Sequence, residues 1–384
     1  MTTPAELYKN AIDLNRFSNS VARRIVRTYN NLIVDAIERL AAAEVGPTAT
    51  QAARLQAILA QLKTSLEGWA GTATALSVEE LQGLVELQTR FVTNVLNGEL
   101  PDDLLLQVRS VQISPQFAQA VATIDPTTYN VVTLSDDLGA AVTGTPRPFR
   151  LEIGDGTTIT LPNGATLAAS YRRLAGKQAE IFTKEVRNGL LLGESSDKIA
   201  RRLRRQLIAV PNNQIRAMVR TSVNQVANAA SQAVYSQNQE ITKRYRYIAT
   251  LDSRTSAICR ALDGRTFDYN KGPTPPQHFN CRSTTVPIVD YEGLGIPPPK
   301  PGKRRSSGGL VPANQTYGQW LSDQSKEVKA DVLGAKQVPY FNMLSRKYGP
   351  SVAIRKFVSV DGTEVTLQEL RRRYPEVKPS RELV

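Results

Sequence analysis

The chain has 384 residues, of which 41% are hydrophobic and 6% aromatic, a composition that suits two or three soluble, helix-rich domains. No apolar run approaches the roughly 18 residues of a membrane helix, and the opening MTTPAELYKNAID has no basic region leading into an apolar one, so the expectation is a cytosolic start without span or signal peptide. A net charge of +13 points to an anionic partner, while P-loop, zinc-protease and serine-hydrolase motifs are missing.

In residues 4–43, Leu7, Ala11, Leu14, Val21, Ile25, Leu32, Ala36 and Leu40 recur at helical steps, which predicts one long amphipathic helix. Gly46-Pro47-Thr48 breaks it. Thr50 is then a candidate cap for a second helix carrying Leu55, Ile58, Leu59 and Leu62, and Ser77 before Val78-Glu79-Glu80 resembles a further helix start, with Gly98 as its end. Residues 1–100 thus read as an antiparallel helical bundle. Residues 101–164 are punctured by proline, glycine and aspartate and read as a β-containing connector or insertion. Within them Phe149–Ile153 and Thr157–Leu161 alternate around Gly154-Asp155-Gly156, a hairpin signal.

Helical spacing resumes at Ala165 with Tyr171, Leu174, Phe182 and Val186, and Gly193 is placed to end that helix. Ser195-Ser196 reopen a helix to Ile208, and Pro211 is read as the start of another that reaches Asn238. On this last stretch Arg216, Arg220, Asn224 and Asn228 recur every four residues, a stripe that suits phosphates, a partner or solvent. From Lys198 to Arg246 ten basic residues face the single acid Glu240, so +9 of the net charge lies here. That imbalance favours contact with nucleic acid or an acidic protein surface, through Arg201, Arg202, Arg204, Arg205, Arg216 and Arg220.

Tyr245 to Pro287 holds both cysteines and the only histidine. A strand at Tyr245, a helix over Ser256–Leu262, a turn at Asp263-Gly264, a strand over Arg265–Tyr269, a proline-rich loop and a strand near residues 284–289 make a small α+β unit. Cys259, His278 and Cys281 admit four readings. They are three ligands of a zinc ion, with Asp252 or Asp263 as an oxygen donor; or the cysteines form a disulfide; or all three are ordinary buried groups; or Cys259 is a nucleophile with His278 as its base. Asp252 is also placed to pair with Arg254 or Arg282.

Residues 293–312, with Lys300, Lys303, Arg304 and Arg305 among prolines and glycines, read as an extended basic linker, suited to phosphate contact through Lys303, Arg304 and Arg305. Residues 313–384 read as a tail of short helices. One runs from Thr316 towards Leu333-Gly334, another to about Tyr348, and a basic one follows a cap at Thr366.

Asp252-Ser253-Arg254-Thr255, Cys259, Leu262-Asp263-Gly264, Phe267 and Pro275-Pro276-Gln277-His278-Phe279-Asn280-Cys281-Arg282 together resemble the core motif of the phage Mu F-like (MuF) head morphogenesis family of minor capsid proteins. Arg220 to Ala230 and the Trp320 to Leu370 region are similar to its flanking parts, so the likeness covers about residues 165–370. The family pattern often closes Cys-Arg-Cys. Here Ser283 stands in the third position, so a thiol that could have completed a metal site is absent. The resemblance implies a structural core motif of Asp252, Arg254, Thr255, Gly264, Pro276 and Arg282. It also implies a non-enzymatic minor head protein inside the capsid at or near the portal, assembled in the host cytoplasm and active in head assembly or DNA ejection. Expected partners are the portal protein, scaffolding or major capsid protein, and double-stranded DNA without sequence preference, with zinc as the one candidate cofactor.

The sequence therefore predicts a mainly α protein with a small α+β module: a bundle over 1–100, a connector over 101–164, long helices plus the MuF-type module over 165–292, a linker over 293–312 and a tail over 313–384. The rival reading is a toxin-like enzyme, such as an ADP-ribosyltransferase or nuclease, carried on a MuF-type domain.

Overall fold

The computed structural model describes residues 3–43, 48–113, 147–153, 165–269, 271–300, 302–359 and 362–377. Helix α1 covers Thr3–Ala42 and α2 covers Ala49–Asn97. The cap of α2 is Thr48 and not Thr50. Three residues after Thr48 stands Gln51, whose amide donates to the Thr48 hydroxyl while its side chain reaches back to the Thr48 backbone. Three residues after Thr50 stands Ala53, which cannot reciprocate. Nor does Ser77 open a new helix. Its hydroxyl bonds to the Ala73 carbonyl at 2.7 Å and meets the Tyr171 hydroxyl at 3.0 Å, so α2 continues to Asn97.

After α2, the Asn97 side chain acts as a strand would, donating to the Leu106 carbonyl at 2.9 Å and accepting from the Leu106 amide at 2.7 Å. It aligns β1 (Leu106–Ile113), which pairs in parallel with β2 (Arg147–Ile153). The strand expected over Phe149–Ile153 thus exists with β1 as its neighbour. The partner expected at Thr157–Leu161 lies outside the described residues.

Helix α3 spans Leu167–Leu191 and α4 spans Ser196–Ser236, each capped by a hydroxyl, of Thr166 and Ser195 respectively. Helix α4 runs straight through Pro211, where the sequence predicted a break. Two effects offset the roughly 3 kcal/mol that an interior proline costs. Leu207 and Ile215, one turn to either side, are fully buried. The Leu207 carbonyl, which Pro211 cannot bond, accepts instead from the Tyr29 hydroxyl at 2.9 Å. Tyr29 in turn packs edge-on against Trp69, which packs edge-on against Tyr171, so one aromatic row joins α1, α2 and α3.

These four helices share a large hydrophobic core that runs from Leu7 to Val289. Against it stands a three-stranded antiparallel sheet in the order β4 (Thr266–Phe267), β3 (Thr242–Ile248), β5 (Thr284–Val289), with α5 (Ala257–Leu262) between β3 and β4. Tyr245 and Ile248 reach the large core, while Tyr247 joins Ala249, Cys259, Leu262 and Cys281 in a small one.

Part of the predicted linker is folded. Residues 303–306 and 309–312 form an antiparallel hairpin, β6 and β7, turning through Ser307-Gly308, with Gly309 at φ of 123°. The prolines that suggested an extended chain cluster before residue 302, and beyond them Arg304 is drawn into the interior. The tail then gives α6 (Tyr317–Ser322), α7 (Lys326–Leu333), α8 (Val338–Tyr348), α9 (Pro350–Ala353) and α10 (Leu367–Arg373) around a separate core of Leu251, Trp320, Phe341, Phe357 and Leu370. The single helix expected over residues 316–334 is two, because Ser325 caps a new start. Thr366 caps α10 as expected. The whole is mainly α with a small α+β module.

Candidate functional site

Helix α5 and the loop after β4 bring together the three residues that the sequence singled out. Ser256 stands at the start of α5, which is only six residues long and aims Cys259 inward. The loop turns at Asn280, with φ of 59° and its amide held by the Thr221 hydroxyl at 3.0 Å, so His278 and Cys281 face the same point. Cys259 Sγ lies 3.4 Å from His278 Nε2 and 3.7 Å from Cys281 Sγ. Both cysteines are free and buried.

Charge in this cluster is unequal. Donation from the Cys259 thiol, helped by His278 and opposed by burial, pulls the Cys281 thiol below the usual cysteine range. Cys259, which holds the proton, is pushed up. The same Cys281 sulfur raises the His278 imidazole. Cys259, the nucleophile of the catalytic reading, is 1% exposed.

Asp252 does not face the cluster. Its carboxylate accepts both guanidinium arms of Arg282, one at 2.8 Å, together with the Arg254 amide at 3.1 Å. Burial by itself raises the Asp252 carboxyl, but the Arg282 bonds outweigh it and hold it below the ordinary carboxylate range. Thr255 donates to the Thr250 carbonyl at 2.6 Å and closes the same turn. Gly264, at φ of 77°, places its backbone where a Cβ would lie 2.7 Å from Thr316, and Pro276 follows a cis peptide bond. Of the ion pairs expected, Arg282 is thus the close partner and Arg254, at 3.8 Å, the loose one.

Asp263 carries more than the sequence suggested. Its side chain is wholly buried, and one carboxylate gathers the Ala249 amide at 2.6 Å, the Tyr317 amide at 2.6 Å and both arms of Arg304 at 3.1 and 3.3 Å. It therefore joins the residue that follows β3 to β6 and α6. Arg304, read as a phosphate contact, is instead 3% exposed and committed to this acid. Arg260 is a second buried tie, donating to the Thr255 and Val332 carbonyls.

The polar stripe on α4 also turns inward. Asn224 donates to the Ser283 carbonyl at 2.9 Å, Asn228 accepts from Thr284, and Gln232 donates to Thr285 at 2.8 Å. Arg220 donates to Asn19 on α1. The four-residue spacing was visible in the sequence; what it faces was not. Of the remaining basic candidates, Arg202 is tied to Glu185 and Glu194, Arg204 lies 3.6 Å from Glu38, and Arg216 is half-buried. Arg201, Arg205, Lys303 and Arg305 are exposed.

Between α1, α4 and the sheet unit opens a cleft of about 660 Å³. Arg220, Arg254, Arg282 and Arg305 line it with Asp252 as the acid, and His278 and Cys281 form part of its wall. With Asp252 engaged by Arg282, the surplus charge of the cleft is positive.

Residues 180–286 match the family model described as Phage Mu protein F like protein. That span takes in α4, the sheet unit and the Cys/His cluster, and supports the resemblance drawn from the motif. No curated protein and no solved structure matches the chain.

Proposed function

We propose that this protein is a minor head protein of a phage, acting in head morphogenesis at or near the portal inside the capsid and contacting double-stranded DNA without sequence preference. The observation that carries the reading is the Phage Mu protein F like match over residues 180–286, on a segment whose polar side chains serve to hold its parts together. Asn224, Gln232, Asp263 and Arg282 bond to Ser283, Thr285, Arg304 and Asp252 respectively, all within the fold, which suits a rigid assembly part.

The positive cleft and the exposed Arg201, Arg205, Lys303 and Arg305 supply a surface for phosphates. Arg254, whose side chain is 81% exposed, stands at the edge of that cleft. Arg201, Arg205, Lys303 and Arg305 are exposed charges, so the contact expected is electrostatic and salt-sensitive.

Co-expression with a portal protein from the same phage, followed by size-exclusion chromatography, tests the assignment. The expected result is co-elution with the portal ring. Elution of the portal alone, with this chain also missing from purified heads, would reject the reading.

A further inference from the structure

We propose that Cys259, His278 and Cys281 bind one zinc ion, with its fourth coordination position open to the cleft. The three ligand atoms all lie within 4.8 Å of one another. Tetrahedral zinc, with Zn–S near 2.3 Å and Zn–N near 2.05 Å, requires edges of about 3.8 Å between two sulfurs and about 3.6 Å between sulfur and nitrogen. The observed separations are 3.7 Å for Cys259 Sγ to Cys281 Sγ and 3.4 Å for Cys259 Sγ to His278 Nε2. Two edges of the cluster, both meeting at Cys259 Sγ, therefore already have the lengths that a tetrahedral zinc site requires.

The histidine is prepared for the role. Its Nδ1 lies 2.9 Å from the Phe279 carbonyl, which can only accept, so Nδ1 carries the proton and Nε2 presents its lone pair towards the sulfurs. A carbonyl on the far nitrogen is the usual way in which a metal-bound imidazole is oriented. Two thiolates and an imidazole select zinc over the harder divalent ions.

The fourth donor is not a protein carboxylate. Asp252 is taken up by Arg282 and Asp263 by Arg304 and two amides. His278 and Cys281 line the cleft, so water or an anionic oxygen from it completes the shell. Ser283, 2% exposed, follows Cys281-Arg282 beside the cluster. The ion would lock α5 to the loop at residues 278–281, and through that loop to Thr221 on α4.

The test uses the full chain, expressed with zinc under reducing conditions, desalted and measured by inductively coupled plasma mass spectrometry. The expected content is about one zinc per chain, falling roughly tenfold or more in Cys259→Ser and Cys281→Ser. A readout on the unaltered protein guards against variants that merely misfold: cobalt(II) in place of zinc should give thiolate charge-transfer absorption and the strong visible bands of a tetrahedral site. Ser283→Cys should slow zinc loss to a chelator by adding a protein donor. Zinc-free protein after dialysis against zinc alone, a Cys259 to Cys281 disulfide under the same reducing conditions, or unchanged zinc in Cys281→Ser each overturns the proposal.

Discussion

The Tyr29 hydroxyl donates to the Leu207 carbonyl across 178 residues of chain, at 2.9 Å and in the fully buried core. That acceptor is the one Pro211 leaves unbonded, so a residue on α1 completes the hydrogen bonding of α4. Tyr29→Phe should cost about 1–3 kcal/mol in denaturant unfolding, the penalty for a buried carbonyl with no donor. Pro211→Ala restores an amide to that carbonyl. In the Pro211→Ala background the cost of Tyr29→Phe should shrink by at least half, and additive effects would show that the two residues do not share the acceptor.

Removing the buried acid should do more damage. Asp263→Ala strands Arg304 and leaves the Ala249 and Tyr317 amides without acceptors, for an expected loss of about 3–5 kcal/mol. A double Asp263→Leu, Arg304→Met variant should recover part of the loss by removing the orphaned charge. Thermal unfolding of both variants measures this, and equal midpoints would count against a strained, uncompensated arginine.

The Asp252 to Arg282 pair sets an acid limit. Because the folded-state pKa of Asp252 is lowered, its contribution is complete above the unfolded value of about 3.9 and declines as pH falls through the folded value. The stability difference between the natural protein and Asp252→Asn should therefore be constant around neutrality and narrow below about pH 4. A difference that narrows instead between pH 6 and 8 would point to some other group.

Two glycines on helices should respond with opposite signs. A Cβ on Gly318 would lie 2.1 Å from the Pro350 carbonyl, a backbone atom that cannot swing aside, so Gly318→Ala should destabilise by about 1–3 kcal/mol as α6 and α9 part. At Gly176 on α3 a Cβ meets nothing within 4 Å, and Gly176→Ala should stabilise by about 0.5–1 kcal/mol. Differential scanning calorimetry of the pair settles both signs.

Under the proposed function, Arg201→Glu with Arg205→Glu should weaken binding to random-sequence duplex roughly tenfold at low salt, with the gap closing as salt rises. Arg202→Gln is a control of another kind. Its guanidinium is tied to Glu185 and Glu194, so stability rather than DNA affinity should move. Fluorescence anisotropy over a salt series distinguishes the two.

Helix content and the sheet unit were legible because both rest on local signals. Apolar residues at helical steps marked α1, a hydroxyl before a helical run marked Ser195 and Thr366, and alternation marked β3. The Cys259, His278 and Cys281 cluster was legible from residue type and crowding in sequence. What failed was everything decided by distant partners. Pro211 signals a break until Tyr29 supplies a donor. Arg304 signals a solvated linker until Asp263, 41 residues earlier, takes it inside. Asn224 and Asn228 read as a stripe for phosphates, a partner or solvent until Ser283 and Thr284, at the start of β5, bond to them. A polar residue advertises that it needs a partner and gives no hint of which one.

The carboxylate of Asp263 also says where this protein can be cut. The family match ends at residue 286, yet Arg304 and Tyr317, two of the three residues that satisfy that acid, lie beyond it. A fragment excised at the limits of the match would carry a naked negative charge into its own interior. Anyone expressing the matched segment by itself should keep the chain at least through α6, because the unit that sequence comparison delimits is smaller than the one that physics closes.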